Sequence, residues 1–100
     1  MKSTQDYIAQ IKGATDYIRK EFSVESLSVF GSVARGQHNE DSDVDVFVCM
    51  PARMVLVIGL QQYLEELLGC DVDVIRNHNG LNPYLKKQIE HDGIVVFRAA

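Results

Sequence analysis

Two copies of one four-residue pattern, Asp43-Val44-Asp45-Val46 and Asp71-Val72-Asp73-Val74, flank a helix-length apolar stretch, and this arrangement constrains the fold more than anything else in the chain. The first copy runs on into Phe47-Val48 and the second into Ile75, so each reads as a strand that is polar-faced at its start and buried further on. Between them, Ala52 to Leu68 carries Leu56, Leu60, Leu64 and Leu67 at steps of three and four and stops at Gly69, which predicts a helix. Strand, helix and strand in that order make a right-handed crossover between parallel strands. Both acidic openings then lie at the same end of one sheet.

Upstream, Ile8, Ile11, Ala14 or Thr15, Ile18 and Phe22 fall on one stripe and predict an amphipathic helix over residues 4–22, with Tyr7 and Tyr17 partly exposed on its flanks. Gly13 interrupts that helix at a cost of up to about 1 kcal/mol relative to alanine. Leu27 to Phe30 predicts a short strand ending at Gly31, a residue that permits a sharp turn and a close approach by a ligand. Ser32 is the expected N-cap of a helical turn through Val33, Ala34 and Arg35 that Gly36 stops, and Gln37 to Ser42 is a polar loop. The link from this strand to the next is too short for a crossover. The two are therefore expected to pair antiparallel, with Phe30 and Gly31 beside the start of the second strand. Asn77-His78-Asn79-Gly80 is turn chemistry, Asn82-Pro83 opens a helix carrying Leu85 and Ile89 that ends at Asp92-Gly93, and Ile94 to Phe97 is a last strand or an extended tail. The order α-β-α(short)-β-α-β-α-β specifies an α/β fold, a small mixed sheet with flanking helices, as one domain over residues 1–100.

A chain of 100 residues buries one core and leaves no second domain to hold a bulky substrate, so a large acceptor has to come from elsewhere. The net charge of -4, with 14 acidic residues and no long Lys/Arg run, argues against direct binding to a nucleic-acid backbone but leaves room for a single nucleotide. Neither the start of the chain nor Met54 to Leu60 is apolar for long enough to act as a signal peptide or membrane span, so a cytoplasmic protein is expected. Met54 to Ile58 is more apolar than one buried stripe requires and reads either as core or as a partner or self-association surface. Cys49 and Cys70, without CxxC or ligand-spaced histidines, read as reduced, partly buried thiols. His38, His78 and His91 read as surface residues, and Lys86-Lys87 as a solvated helix face.

Side chains two apart on a strand face the same way, so Asp43 and Asp45 share a face. If Asp71 and Asp73 lie on that face of the neighbouring strand, at least three carboxylates meet, and a pair about 5 Å apart repels by roughly 3 kcal/mol at an effective dielectric near 20. Mg²⁺ or Mn²⁺ reverses the sign, because hard cations take carboxylate oxygens and two such ions can hold the attacking and leaving oxygens of a phosphoryl transfer. The Gly31-Ser32 turn adds backbone N–H groups and a hydroxyl suited to nucleotide phosphates. Arg35 either contacts phosphate or pairs with a nearby acid such as Glu40. Ligands of open α/β sheets usually sit at the carboxyl ends of strands, and here only the first strand obeys that rule.

GSVARG, SDVDVFV and DVDVI, with LQQYLEELLGCDVDVI and NPYLKKQIEHDG around them, resemble the minimal nucleotidyltransferases of the DNA polymerase β superfamily over nearly the whole chain. The resemblance implies a palm-like nucleotidyltransferase core that transfers a nucleoside monophosphate, AMP from ATP, to a hydroxyl with release of pyrophosphate. The family's Gly-Ser turn, D-x-D strand and third Asp fall on Gly31-Ser32, on Asp43 and Asp45, and on Asp73. Asp43 and Asp45 are thereby implied to hold Mg²⁺ or Mn²⁺, and Asp73 to ligate metal or activate the acceptor hydroxyl. Asp71 lies outside the pattern. Members of this group are commonly antitoxins paired with helical HEPN ribonuclease toxins, and some place AMP on a toxin tyrosine. A HEPN-type partner is accordingly expected, in a homo- or hetero-oligomer. The alternatives are an antitoxin acting by contact alone and nucleotidyl transfer to a small hydroxylated compound.

Overall fold

The computed structural model describes residues 1–98, as α1 (Thr4–Gly13), α2 (Thr15–Phe22), β1 (Ser26–Phe30), α3 (Gly31–Ala34), β2 (Val44–Cys49), α4 (Met54–Leu68), β3 (Val72–Arg76), α5 (Pro83–Asp92) and β4 (Ile94–Arg98). The strands form one sheet in the order β3-β2-β1-β4. The crossover through α4 makes β2 and β3 parallel, while β1 is antiparallel to both β2 and β4. This is the mixed α/β sheet that the element order specifies, and the last segment is a strand that closes the second edge.

Strict alternation sets the two faces of the sheet. Leu27 and Val29 on β1, and Val44, Val46 and Val48 on β2, are buried, whereas Ser26, Ser28, Asp45 and Phe47 between them are only partly covered. The buried set joins Ile11 of α1, Ile18 of α2, and Leu60, Leu64 and Leu68 of α4 in a single cluster. The main core thus lies on one side of the sheet, while on the other side buried Ile89 of α5 faces a cleft it shares with Ser26, Ser28 and Phe47.

Side-chain caps open α1 and α5, and a glycine closes α4. Ser3 and Asp6 form a reciprocal capping box at the start of α1, the Asn82 side chain accepts from the Tyr84 N–H ahead of Pro83, and Gly69 ends α4 with φ +72°. The helix expected over residues 4–22 breaks in two at Ala14, whose φ of −103° and ψ of 10° end α1 and begin α2. After Gly13, the Ala14 N–H turns back to the Ile11 carbonyl and the Thr15 hydroxyl donates to the Lys12 carbonyl, so the carbonyls at the break are satisfied without a continuous helix. Both halves still bury their apolar residues.

Two further expectations change. Tyr7 is buried, with the His38 ring edge-on to it at 5.8 Å and the Lys2 ammonium 5.5 Å from its ring centre, while Tyr17 is 49 % exposed beside Tyr63. Met54 and Val55 are 75 % and 80 % exposed and Ile58 47 %, so only Leu56 and Val57 of that run turn inward. Both cysteines are free and half-buried. Among the described residues no helix is long and apolar enough to cross a membrane.

Leu64 is fully buried where α4 meets the sheet, so Leu64→Ala is expected to cost about 2–5 kcal/mol in urea unfolding. Val55→Ser on the exposed side of the same helix is expected to stay within about 0.5 kcal/mol of wild type.

Candidate active site at the acidic end of the sheet

The parallel ladder sets Asp45 directly opposite Asp73, and the antiparallel ladder sets Phe30 opposite Asp45 on its other side. Asp43 lies two residues before Asp45 and is exposed, as is Asp73. Three carboxylate-bearing positions from two strands therefore meet at the end of β1. Asp45, half-buried, is the central one. Its carboxyl is held above the ordinary value of 3.8, first by burial and then by the charges of Asp73 and Asp43, with Arg35 pulling the other way. Asp71 serves the site through its backbone, its carbonyl accepting the Val44 N–H at 3.0 Å as the ladder begins. Its charge, with that of Asp43, is felt at the Cys70 thiol, which burial above all pushes up.

Gly31 is required by this crowding. Its φ is +73°, and a Cβ placed there would run into the Asp45 carboxylate, 3.3 Å from Cγ and closer still to Oδ2. The close approach expected of a ligand is thus made by a side chain of the protein itself. Ser32 is not the N-cap. The extended backbone of Phe30 takes that position, α3 starts two residues early at Gly31, and Ser32 is its second residue. Gly36, at φ +70°, stops the turn as expected, with its N–H donated to the Val33 carbonyl. A further tie, not legible in the sequence, is the Thr4 hydroxyl donating to the Val33 carbonyl at 2.5 Å, which fastens α1 to the turn.

Arg35 finds an acid, but it is Asp92 at the far end of α5 and not Glu40. Its Nη1 lies 3.3 Å from Asp92 Oδ2, and its Nε donates to Gln37 Oε1 at 3.0 Å. His91 Nδ1, 2.8 Å from Asp92 Oδ1, and secondarily Arg35 hold the Asp92 carboxyl below its ordinary range. His38 also departs from the surface position expected of it: half-buried beneath Tyr7, its Nε2 meets the Lys2 carbonyl at 2.7 Å. His78, His91, Lys86 and Lys87 are exposed.

Among the described residues no three His, Cys, Asp or Glu side chains are arranged to hold a metal ion by themselves. The donor chemistry nonetheless suits a hard divalent cation. All three groups are carboxylates, and Mg²⁺ is usually held by one or two carboxylates together with substrate phosphates and water, not by an all-protein cage.

Known proteins with this architecture share a chemistry. The family described as Polymerase beta, Nucleotidyltransferase matches residues 12–100. The chain is 34 % identical over 98 residues to MJ1217 of Methanocaldococcus jannaschii, which carries the provisional name protein adenylyltransferase, across 96 % of this chain and 100 % of that one. A solved structure described as a minimal nucleotidyltransferase superposes with a TM-score of 0.74 at 31 % identity, covering 93 % of this chain and 95 % of that one. A Shewanella oneidensis complex of a tri-AMPylated HEPN toxin with an MNT antitoxin contains a chain that matches with a TM-score of 0.63 at 17 % identity, covering 88 % and 70 %, a likeness of fold. The protein belongs to the polymerase β nucleotidyltransferase family and is a nucleotidyltransferase of the minimal kind.

The raised carboxyl of Asp45 has a defined consequence for stability. In a group whose folded pKa lies above its unfolded value, the penalty on the fold is absent below the unfolded value and grows as pH rises through the folded one. Asp45→Asn is therefore expected to melt above wild type at pH 7. The advantage should close as the pH falls toward 3.8. A variant that melts below wild type at pH 7 would contradict the crowding. Gly31→Ala is expected to lower the melting temperature, since it meets both the strained φ and the Asp45 carboxylate.

Proposed function

We propose that this chain, as one domain over residues 1–100, transfers AMP from ATP to a hydroxyl on a partner protein, and that the partner is a HEPN-type toxin that the transfer silences. The observation that carries this reading is the register that sets Asp45 against Asp73 with Asp43 beside them, an anionic cluster that a divalent cation and a triphosphate would complete. Asp43, Asp45 and Asp73 would hold Mg²⁺ or Mn²⁺, which when bound neutralises charge on the transferring phosphoryl group. The α3 turn, with the Ser32 hydroxyl, and the Arg35 guanidinium lie on the side of Asp45 formed by the end of β1 and receive the phosphates. The acceptor oxygen attacks the α-phosphorus, the bond to the bridging oxygen of the β-phosphate breaks, and pyrophosphate leaves. Alternatively to ligating metal, exposed Asp73 would take the proton from the acceptor hydroxyl.

A partner-borne acceptor agrees with the size of the chain and with the names of its relatives. An adenylyltransferase relative aligns end to end, and the antitoxin fold occurs beside an AMPylated HEPN toxin in S. oneidensis. The exposed Met54, Val55 and Ile58 offer apolar surface for such a partner. We place the reaction in the cytoplasm, where ATP and Mg²⁺ are supplied. A second reading is an antitoxin that blocks its toxin by contact alone, for which the exposed Met54, Val55 and Ile58 would serve equally.

One assay separates the two. The protein is incubated with the product of the neighbouring gene, labelled ATP and Mg²⁺, beside Asp43→Asn/Asp45→Asn. Label transfer by wild type and a loss of at least about 100-fold in the double variant are expected. Transfer that survives the double change would sink the metal assignment. Neutralisation without label in either protein would favour the contact mechanism.

A further inference from the structure

Outside the acidic cluster, the ion pair between α3 and α5 joins the site to the most distant part of the chain. Arg35 and Asp92 are 57 residues apart, yet the carboxylate lies 3.3 Å from the guanidinium. Asp92 is itself sheltered, its side chain 19 % exposed against 36 % for Arg35, and α5 packs against α3. We infer that Asp92 is a positioning residue for nucleotidyl transfer, and that with Gln37 it fixes the Arg35 guanidinium so that its remaining N–H edge faces the nucleotide phosphates. The inference rests on the reading that Arg35 meets phosphate.

The geometry of the fork carries it. A guanidinium has five N–H donors in one plane. Gln37 takes the Nε donor and Asp92 takes one at Nη1, which leaves the two Nη2 hydrogens and one on Nη1 unclaimed by these partners. Contacts at two separate nitrogens set the plane of the group and not merely its position, which a lysine on the same stem could not copy. The Arg35 charge is also felt at Asp45, opposing the rise of its carboxyl, so the fixed group lies within electrostatic reach of the acidic cluster. Asp92 is in turn held from its other oxygen by His91 Nδ1 at 2.8 Å, and Gly93 follows with its N–H on the Ile89 carbonyl at 2.7 Å, closing the helix there. A Cβ at Gly93 would strike that same carbonyl, so the close of α5 beside Asp92 is tight. An unpinned arginine would lose rotamer freedom on meeting phosphate, and one already held does so at lower entropic cost.

The test is the affinity for ATP in the presence of Mg²⁺, measured by titration calorimetry on the full chain, with the melting temperature of each variant taken without nucleotide. Asp92→Asn is expected to weaken binding about three- to tenfold, the loss of one charge-assisted contact that preorganises the site. Asp92→Glu is expected to restore affinity to within about twofold. The double variant Arg35→Gln/Asp92→Asn should bind no more weakly than Arg35→Gln alone, because Asp92 acts through Arg35. Where Asp92→Asn fails to fold, Asp92→Ser is held to the same criterion. Arg35→Gln weakened with Asp92→Asn unchanged would overturn the positioning role alone, as would losses that multiply in the double variant. An Arg35→Gln variant that binds as wild type would overturn the phosphate contact and this inference together.

Discussion

The register of one parallel ladder governs this molecule. Because α4 returns the chain to the same end of the sheet, β3 starts where β2 starts, and Asp73 comes to rest against Asp45. The placement is costly for the fold alone, since carboxylates on adjacent strands about 4.8 Å apart repel. It is sustained by the other face of the same strands, where Val44, Val46, Val48 and Val72 are buried beneath the helices. A slip of one residue would exchange those faces and bury the acids, so the core that stabilises the sheet also fixes the positions of the charges. The glycine at the end of β1 follows from this constraint, since no side chain fits beside Asp45 at that point.

The crossover, the antiparallel first strand and the common end of the two acidic openings were legible because they depend on periodicity and connection length, which are local properties of sequence. The DVDV repeats made the alternation of faces readable as well, with buried valines between the acids, while the pairing of Asp45 with Asp73 came from the structure. What could not be read depends on tertiary neighbours. Tyr7 is buried because it joins the core cluster and His38 arrives from a distant loop to cover it, and His38 leaves the surface for the same reason. Helix α3 begins at Gly31 because β1 delivers an extended Phe30 as its cap, a fact about the strand and not about Ser32. Asp92 lies beside Arg35 only after α5 has packed against α3, so proximity in sequence pointed to Glu40 instead. Asp71, alike in sequence to Asp73, contributes a ladder carbonyl to β2, a distinction that follows from where β3 begins.

The chain supplies a mixed sheet with acids at one end, a plan consistent with the minimal nucleotidyltransferases to which it belongs. Under the proposed reaction its chemistry would be built from positioning and charge, the demands of phosphoryl transfer. The elements near Asp45 divide these demands among them. Strands β2 and β3 bring the carboxylates, the end of β1 brings the turn, and α5 steadies the Arg35 guanidinium held against that turn.

The central claim, that the acidic end of the sheet binds a divalent cation together with a nucleotide, is tested most directly by paramagnetic broadening. Mn²⁺ is added with ATP to isotopically labelled protein and backbone amide signals are followed by NMR. Broadening centred on Gly31, Ser32, Asp43 to Asp45 and Asp73, and absent from Ser23 to Glu25 at the opposite end of β1, is the expected result. Broadening centred on another acidic stretch, such as Glu65-Glu66 of α4, with the signals of Asp45 and Asp73 untouched, would contradict it.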